Sequence, residues 1–167
     1  MVEIRPARPD EARAIAAVHV RSWQVAYEGL LPSEYLRGLR VEDRAARYRF
    51  DTDDLESTLV AVDDGNIRGF IHVGPSRDEE GPSDGEVSAL YVSPDSWREK
   101  IGSALMVAGR AWLEDHGYCR ARLWVLSGNE RAESFYRADG WARQPVTRSE
   151  IVWGVQVEEI LYLRLLP

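Results

Sequence analysis

The stretch from Val87 to Met106, VSALYVSPDSWREKIGSALM, joins an apolar run, a proline, a short polar loop and an amphipathic segment with a glycine near its start. That order of residue types aims backbone N–H groups at an anion. The first turn of a helix holds four N–H groups without intrahelical partners, at the positive end of the helix dipole. Phosphate is stabilised at such a place by geometry alone. Arg98 and Lys100 stand inside the same loop.

The flanking elements follow from periodicity. Val87, Ala89 and Tyr91 alternate with Ser88, Leu90 and Val92, a strand apolar on most of both faces and therefore central in its sheet. Ile101, Leu105, Ala108 and Trp112 recur at i, i+4, i+7 and i+11, one stripe of a helix that ends near His116 and Gly117. A second stretch, Arg122 to Trp141, repeats the plan: an apolar strand at Leu123 to Leu126, a Ser127-Gly128 turn, and Asn129 as a favoured N-cap. Ala132, Phe135 and Tyr136 share one helical face, and Gly140 suits the position just past the helix.

These two stretches, in this order, resemble the acetyl-coenzyme A motif and the following motif of the GNAT superfamily of N-acetyltransferases. Leu90-Tyr91-Val92, Pro94 and Gly102 match its strand and loop spacing without a gap. The family's loop usually reads Gln or Arg, two residues, Gly, one residue, then Gly or Ala, and here Trp97, Lys100 and Gly102 hold those positions. The glycine replaced by Lys100 ordinarily permits a close backbone approach or a positive φ. The Lys100 side chain either swings outward and offers its ammonium to a phosphate or obstructs the site.

The resemblance implies an α/β (α+β) GNAT fold of one domain, residues 1–167. Its central mixed, mostly antiparallel seven-stranded sheet has splayed central parallel strands and is flanked by about four helices. It implies acetyl-CoA as co-substrate, held by Leu90, Tyr91, Val92, Trp97, Arg98, Glu99, Lys100, Ile101, Gly102, Ser103, Asn129 and Tyr136. An unpaired N–H at the end of the Leu90–Val92 strand would meet the oxyanion. Tyr136 would protonate the departing thiolate, since a phenol near pKa 10 stays protonated at neutral pH beside a thiol near 8.5; core packing beside Phe135 is the other reading. Glu86 is the candidate base, or an exposed carboxylate at a strand end. Acceptor contacts would come from Trp23, Tyr27 and Glu28, the aromatics forming a wall for the carbon skeleton or simply part of the core. Glu159 shares the period-two face of Val157 and Leu161; drawn inward it would be desolvated with its pKa pushed up, unless a bulge turns it outside.

The remaining sequence fits this frame. The chain has 167 residues, 44% hydrophobic and 29% charged, enough to bury about two thirds of its unfolded surface. A net charge of −7 argues against a nucleic-acid partner. No run nears the roughly 18 apolar residues of a membrane span and no signal-peptide pattern opens the chain, so a cytoplasmic location is expected. One cysteine, Cys119, excludes an internal disulfide, and His19, His72 and His116 lack metal-site spacing, so no metal is expected. Asp78-Glu79-Glu80, with Asp84 and Glu86, lies in a loop-like segment from Gly74 to Gly85, either a solvated tip or an overhang favouring cationic acceptors.

Further elements are a strand at Val2 to Arg5 and a helix from Pro9 to about Tyr27, with a helical region from Ser33 to about Phe50 after it. A hairpin at Leu59–Val62 and Ile67–Val73 turns at Asp63-Asp64-Gly65-Asn66, and one long period-two strand covers Ile151 to Leu165. Six tryptophans and the long terminal strand would suit a homodimer. The leading expectation is acetyl transfer from acetyl-CoA to a primary amine of a small cationic molecule. The alternatives are a protein N-terminal or lysine acetyltransferase, and a GNAT-fold binding module with weakened coenzyme binding.

Overall fold

Alternation decides which way each strand faces. In β2 (Ser57–Asp63), Leu59 and Ala61 join one core layer while Val60 joins another; in β3 (Asn66–Pro75), Ile71 and Val73 join the first and Phe70 the second. A sheet buried on both faces needs a helix on each. The first layer is covered by α4 (Ile101–Asp115), whose Ile101, Leu105, Met106 and Leu113 are buried in it, and the second by α1 (Ala12–Ala26) through Ile15 and Val18. Full burial of side chains such as Phe70 and Ile71 contributes about 1.5–3 kcal/mol each.

The computed structural model describes residues 1–50, 54–81 and 83–167. With β1 (Glu3–Pro6), β4 (Gly85–Val92), β5 (Arg120–Leu126), β6 (Ala142–Val152) and β7 (Val155–Leu165), the strands form one seven-stranded sheet in the order β1-β2-β3-β4-β5-β7-β6. Every neighbouring pair is antiparallel except β4 and β5, which are parallel. The mixed, mostly antiparallel sheet expected from the resemblance is the one observed. Pro82, inside the segment read as a loop from Gly74 to Gly85, lies outside the described residues. Among the described residues no helix is long and apolar enough to cross a membrane.

Three expectations need correction. The helix expected from Pro9 begins as a short 3-10 turn, Pro9–Glu11, before α1. The region from Ser33 to about Phe50 is two short helices, α2 (Ser33–Arg37) and α3 (Val41–Ala45), because Gly38 ends the first and Arg40 is extended at φ −121 and ψ 133. With α5 (Glu130–Ala138), the described residues form five α-helices. The single terminal strand is the β6–β7 hairpin, turning at Trp153 and Gly154 with φ of 51 and 79. Two successive positive φ values describe the turn type whose twist matches antiparallel strands. Trp153 tolerates it because its ring packs against His19 and Trp23 and its carbonyl accepts the Tyr35 hydroxyl at 2.5 Å.

Close packing of α4 on the sheet leaves Gly69 of β3 no room for a side chain. A Cβ there would lie 2.9 Å from the Tyr91 carbonyl oxygen and 3.0 Å from Leu105 Cδ1. Gly69→Ala should therefore shift β4 at Tyr91 and cost about 1–3 kcal/mol, the usual range for overpacking, read as a lower melting temperature.

Candidate active site

Parallel pairing of β4 and β5 is limited to Gly85 with Ala121 and Glu86 with Arg122. Beyond that point the strands diverge, and Val87–Val92 and Leu123–Leu126 become the two walls of a cleft of about 220 Å³. Each strand keeps its outer partner: β4 pairs with β3 as far as Val92, and β5 with β7 as far as Leu126. At the open end the Val92 carbonyl accepts the Trp97 indole N–H at 2.9 Å and lies 3.0 Å from the buried Ser22 hydroxyl of α1. The loop and α1 thereby hold the end of β4 away from β5.

The loop closes the cleft at the start of α4. Arg98 and Lys100 take φ of 72 and 63, and the first backbone bond of the helix among the described residues is Ala104 N–H to the Lys100 carbonyl, 3.1 Å. Among the described residues the N–H groups of residues 98–103 have no backbone acceptors. Lys100 adopts the left-handed conformation that glycine provides elsewhere, and its side chain is exposed and outside the cleft lining. Of the two placements the sequence left open, the outward one is observed.

The structure brings together Leu90, Tyr91, Val92, Trp97, Gly102, Asn129 and Tyr136 around this cleft. Arg98, Glu99 and Ser103 are exposed and Ile101 is core, and none of the four lines the cleft. Asn129 caps α5, its side-chain oxygen accepting the Ala132 N–H at 3.3 Å. Burial, with Tyr91 nearby, pushes the Tyr136 phenol well up, so it stays protonated. Sequence reasoning missed Arg131, whose guanidinium lies 3.4 Å over the Trp97 ring at the cleft wall. Burial and the neighbouring Arg98 hold its pKa down. The signal was available in its position, two residues past an N-cap asparagine and on the first turn of a helix.

A second cleft, about 160 Å³, opens from the same splay. Tyr27, Val87, Ser88, Tyr91, Trp124 and Leu126 border both, so the two meet at the divergence of the strands. Its own lining adds Trp23, Glu86, Arg148 and Glu159. Trp23 is at the same time buried core. Glu159 does face inward, paired with Arg148 at 3.0 Å, and no bulge interrupts its stretch of β7. Burial raises its carboxyl against the pull of Arg148. Glu28 is exposed and borders neither cleft: α1 ends at Ala26, and the chain turns away through Gly29 at φ 82.

The acidic run divides. Glu79 and Glu80 face water, but Asp78 turns in and accepts Arg122 Nη1 and Trp124 Nε1, each at 2.9 Å, and Arg148 Nη1 at 3.2 Å. Burial opposes its charge, yet those donors hold its carboxyl below the ordinary value. Asp84, buried, takes Arg120 and the other edge of Arg122. Glu86, by contrast, receives among the described residues only a long 3.5 Å bond from the Arg77 N–H. Burial, then Asp78, raises its pKa above 4.5.

A carboxyl with a raised folded pKa favours folding below its unfolded value and loses that contribution as pH climbs through the folded value. Glu86→Gln should therefore melt at a higher temperature than the wild type at pH 7, and the difference should vanish toward pH 4. Melting curves across that range check the sign.

Comparison with known proteins bears on this geometry. The description Acetyltransferase (GNAT) family matches residues 20–141. An uncharacterized N-acetyltransferase of Bacillus subtilis (strain 168) is 32% identical over 161 residues, 96% of this chain and 91% of that protein. The spermidine N(1)-acetyltransferase of Thermoplasma acidophilum is 22% identical over 164 residues, 94% of this chain and 98% of that one. In fold, the crystal structure of a Thermoplasma acidophilum N-acetyltransferase in complex with coenzyme A matches with a TM-score of 0.74 at 21% identity, covering 99% of each chain.

Proposed function

The chain belongs to the Acetyltransferase (GNAT) family, and from that premise we propose that it moves an acetyl group from acetyl-CoA to the primary amine of a small cationic molecule by direct attack in a ternary complex. The observation that carries this reading is the meeting of two clefts of opposite character at one splay. One is bordered by Gly102 in the first turn of α4 and by Arg131, the other by two carboxylates among aromatic rings.

The first cleft fits the coenzyme. N–H groups of residues 98–103 and the Arg131 guanidinium suit the pyrophosphate, and the divergence of β4 and β5 suits the extended arm that brings the thioester to Tyr136. The coenzyme supplies the acetyl thioester. The chain's own groups do the rest. Glu86, with its raised pKa, takes the proton that an incoming ammonium must lose, directly or through a water, and delivers a neutral amine to the carbonyl carbon. An N–H on the unpaired edge of Leu90–Val92 steadies the oxyanion as the new C–N bond forms. When the C–S bond breaks, the Tyr136 hydroxyl gives its proton to the leaving thiolate. The spermidine acetyltransferase relationship supports a small cationic acceptor, as does the excess of carboxylates in the second cleft.

Titration with acetyl-CoA tests the coenzyme site. At about a hundred times the dissociation constant it should stabilise the fold by roughly 2.7 kcal/mol, and an unmoved melting temperature at millimolar coenzyme would overturn the reading. Tyr136→Phe should lower kcat at least tenfold and leave coenzyme affinity within about twofold; unchanged turnover would remove Tyr136 from the acid role. Steady-state kinetics and the same thermal titration separate the two effects.

A further inference from the structure

The charged groups bordering the second cleft are Glu86, Glu159 and Arg148. Arg148 is the only cation among the described residues there, and an amine that also bears a carboxylate would need it. It is already engaged on two sides. Its Nε lies 3.0 Å from Glu159 Oε1, its partner across the β6–β7 ladder, and its Nη1 lies 3.2 Å from Asp78 Oδ1. Its Cζ also sits 4.0 Å from the centre of the Trp124 ring. Asp78 is fixed in turn by Arg122 and the Trp124 indole, each at 2.9 Å from its other oxygen. Arg122 is itself buried and tied to Asp84.

We propose that Asp78, which does not border the cleft, sets the acceptor class: by holding Arg148 against Glu159 it withdraws that guanidinium from substrate recognition and reserves the cleft for amines without an acidic group. The inference rests on the small-amine reading above and narrows it. A substrate carboxylate entering beside Arg148 would be the third acidic group around one guanidinium and would also face Glu86, and like charges at such spacing repel. An ammonium meets the opposite situation. Among the described residues Glu86 has no cation within ion-pair distance, so its charge is left for the substrate. Trp23, Tyr27, Tyr91 and Trp124 supply aromatic faces for the carbon skeleton and for the charged nitrogen. Asp78 acts only through Arg148, which makes it a positioning residue.

Matched pairs that differ by one carboxylate isolate the effect: phenethylamine against phenylalanine, and putrescine against ornithine. In the wild type kcat/KM should favour the decarboxylated member at least tenfold in each pair. Asp78→Asn should narrow that ratio at least fivefold by raising activity on the carboxylate-bearing member, and Asp78→Asn with Arg148→Gln should restore it. If Asp78→Asn does not fold, Glu159→Gln releases the same guanidinium and should shift the ratio the same way. A wild-type ratio near one, or variants that lose activity on both members equally, overturns the role given to Asp78 and leaves small-amine acetylation standing. Turnover of neither member, with acetyl-CoA still raising the melting temperature, overturns the small-amine reading and the inference with it.

Discussion

Everything in this molecule that resembles a site depends on two neighbouring strands failing to stay together. β4 and β5 share only two residue pairs before they part. Two exposed strand edges inside a folded core are costly, because each unpaired N–H and carbonyl has lost water without gaining a partner. The structure offsets the loss from outside. β3 and β7 hold the outer edges, the Trp97 indole donates to the Val92 carbonyl, and Gly102 in the first turn of α4 borders the same space. A gap maintained this way sets backbone polar groups between apolar side chains such as Leu90, Val92, Leu123 and Val125, and suits an extended ligand with amide groups.

The opposite mouth is built by charge. Arg122 and Arg148 meet Asp78, Asp84 and Glu159 in a chain of ion pairs at 2.9 to 3.2 Å. Such networks add little net stability once desolvation is counted, but they fix geometry, and removing one member strands the others. Gly81 shows how tightly the loop is seated: a Cβ there would come within 2.5 Å of the Arg122 guanidinium carbon. The loop that carries Asp78 is thus pinned to the far side of the splay by a side chain that begins on β5.

How much of this was legible in the sequence follows from the kind of signal each feature carries. The strand at Val87 to Val92, α4 and the Asn129 cap were readable because periodicity and capping are local. Lys100 was readable as an oddity, and the structure resolves it locally too, through a left-handed backbone and an exposed side chain. The β6–β7 turn was not readable. Ile151, Trp153, Val155 and Val157 keep the same parity across it, so period two runs on unbroken, and Trp at a positive φ is far from the Asn-Gly or Asp-Gly pairs that mark such turns. What fixes the turn is distant: His19 and Trp23 of α1 and the Tyr35 hydroxyl of α2.

The same distinction explains the side chains. Tyr136 and Glu86 stand on elements whose direction the pattern sets, so their placement followed from the strand and helix that carry them. Glu28 sits one residue beyond Tyr27, and a single turn sends it to solvent while Tyr27 stays between the clefts. Asp78 is the reverse case. Within a run of three acids nothing local marks it from Glu79 and Glu80; it turns inward because Arg122, Trp124 and Arg148, on β5 and β6, present three donors to one carboxylate. Each of those donors is remote in sequence, so the acidic loop acquires its inner member only when the sheet that bears them has formed.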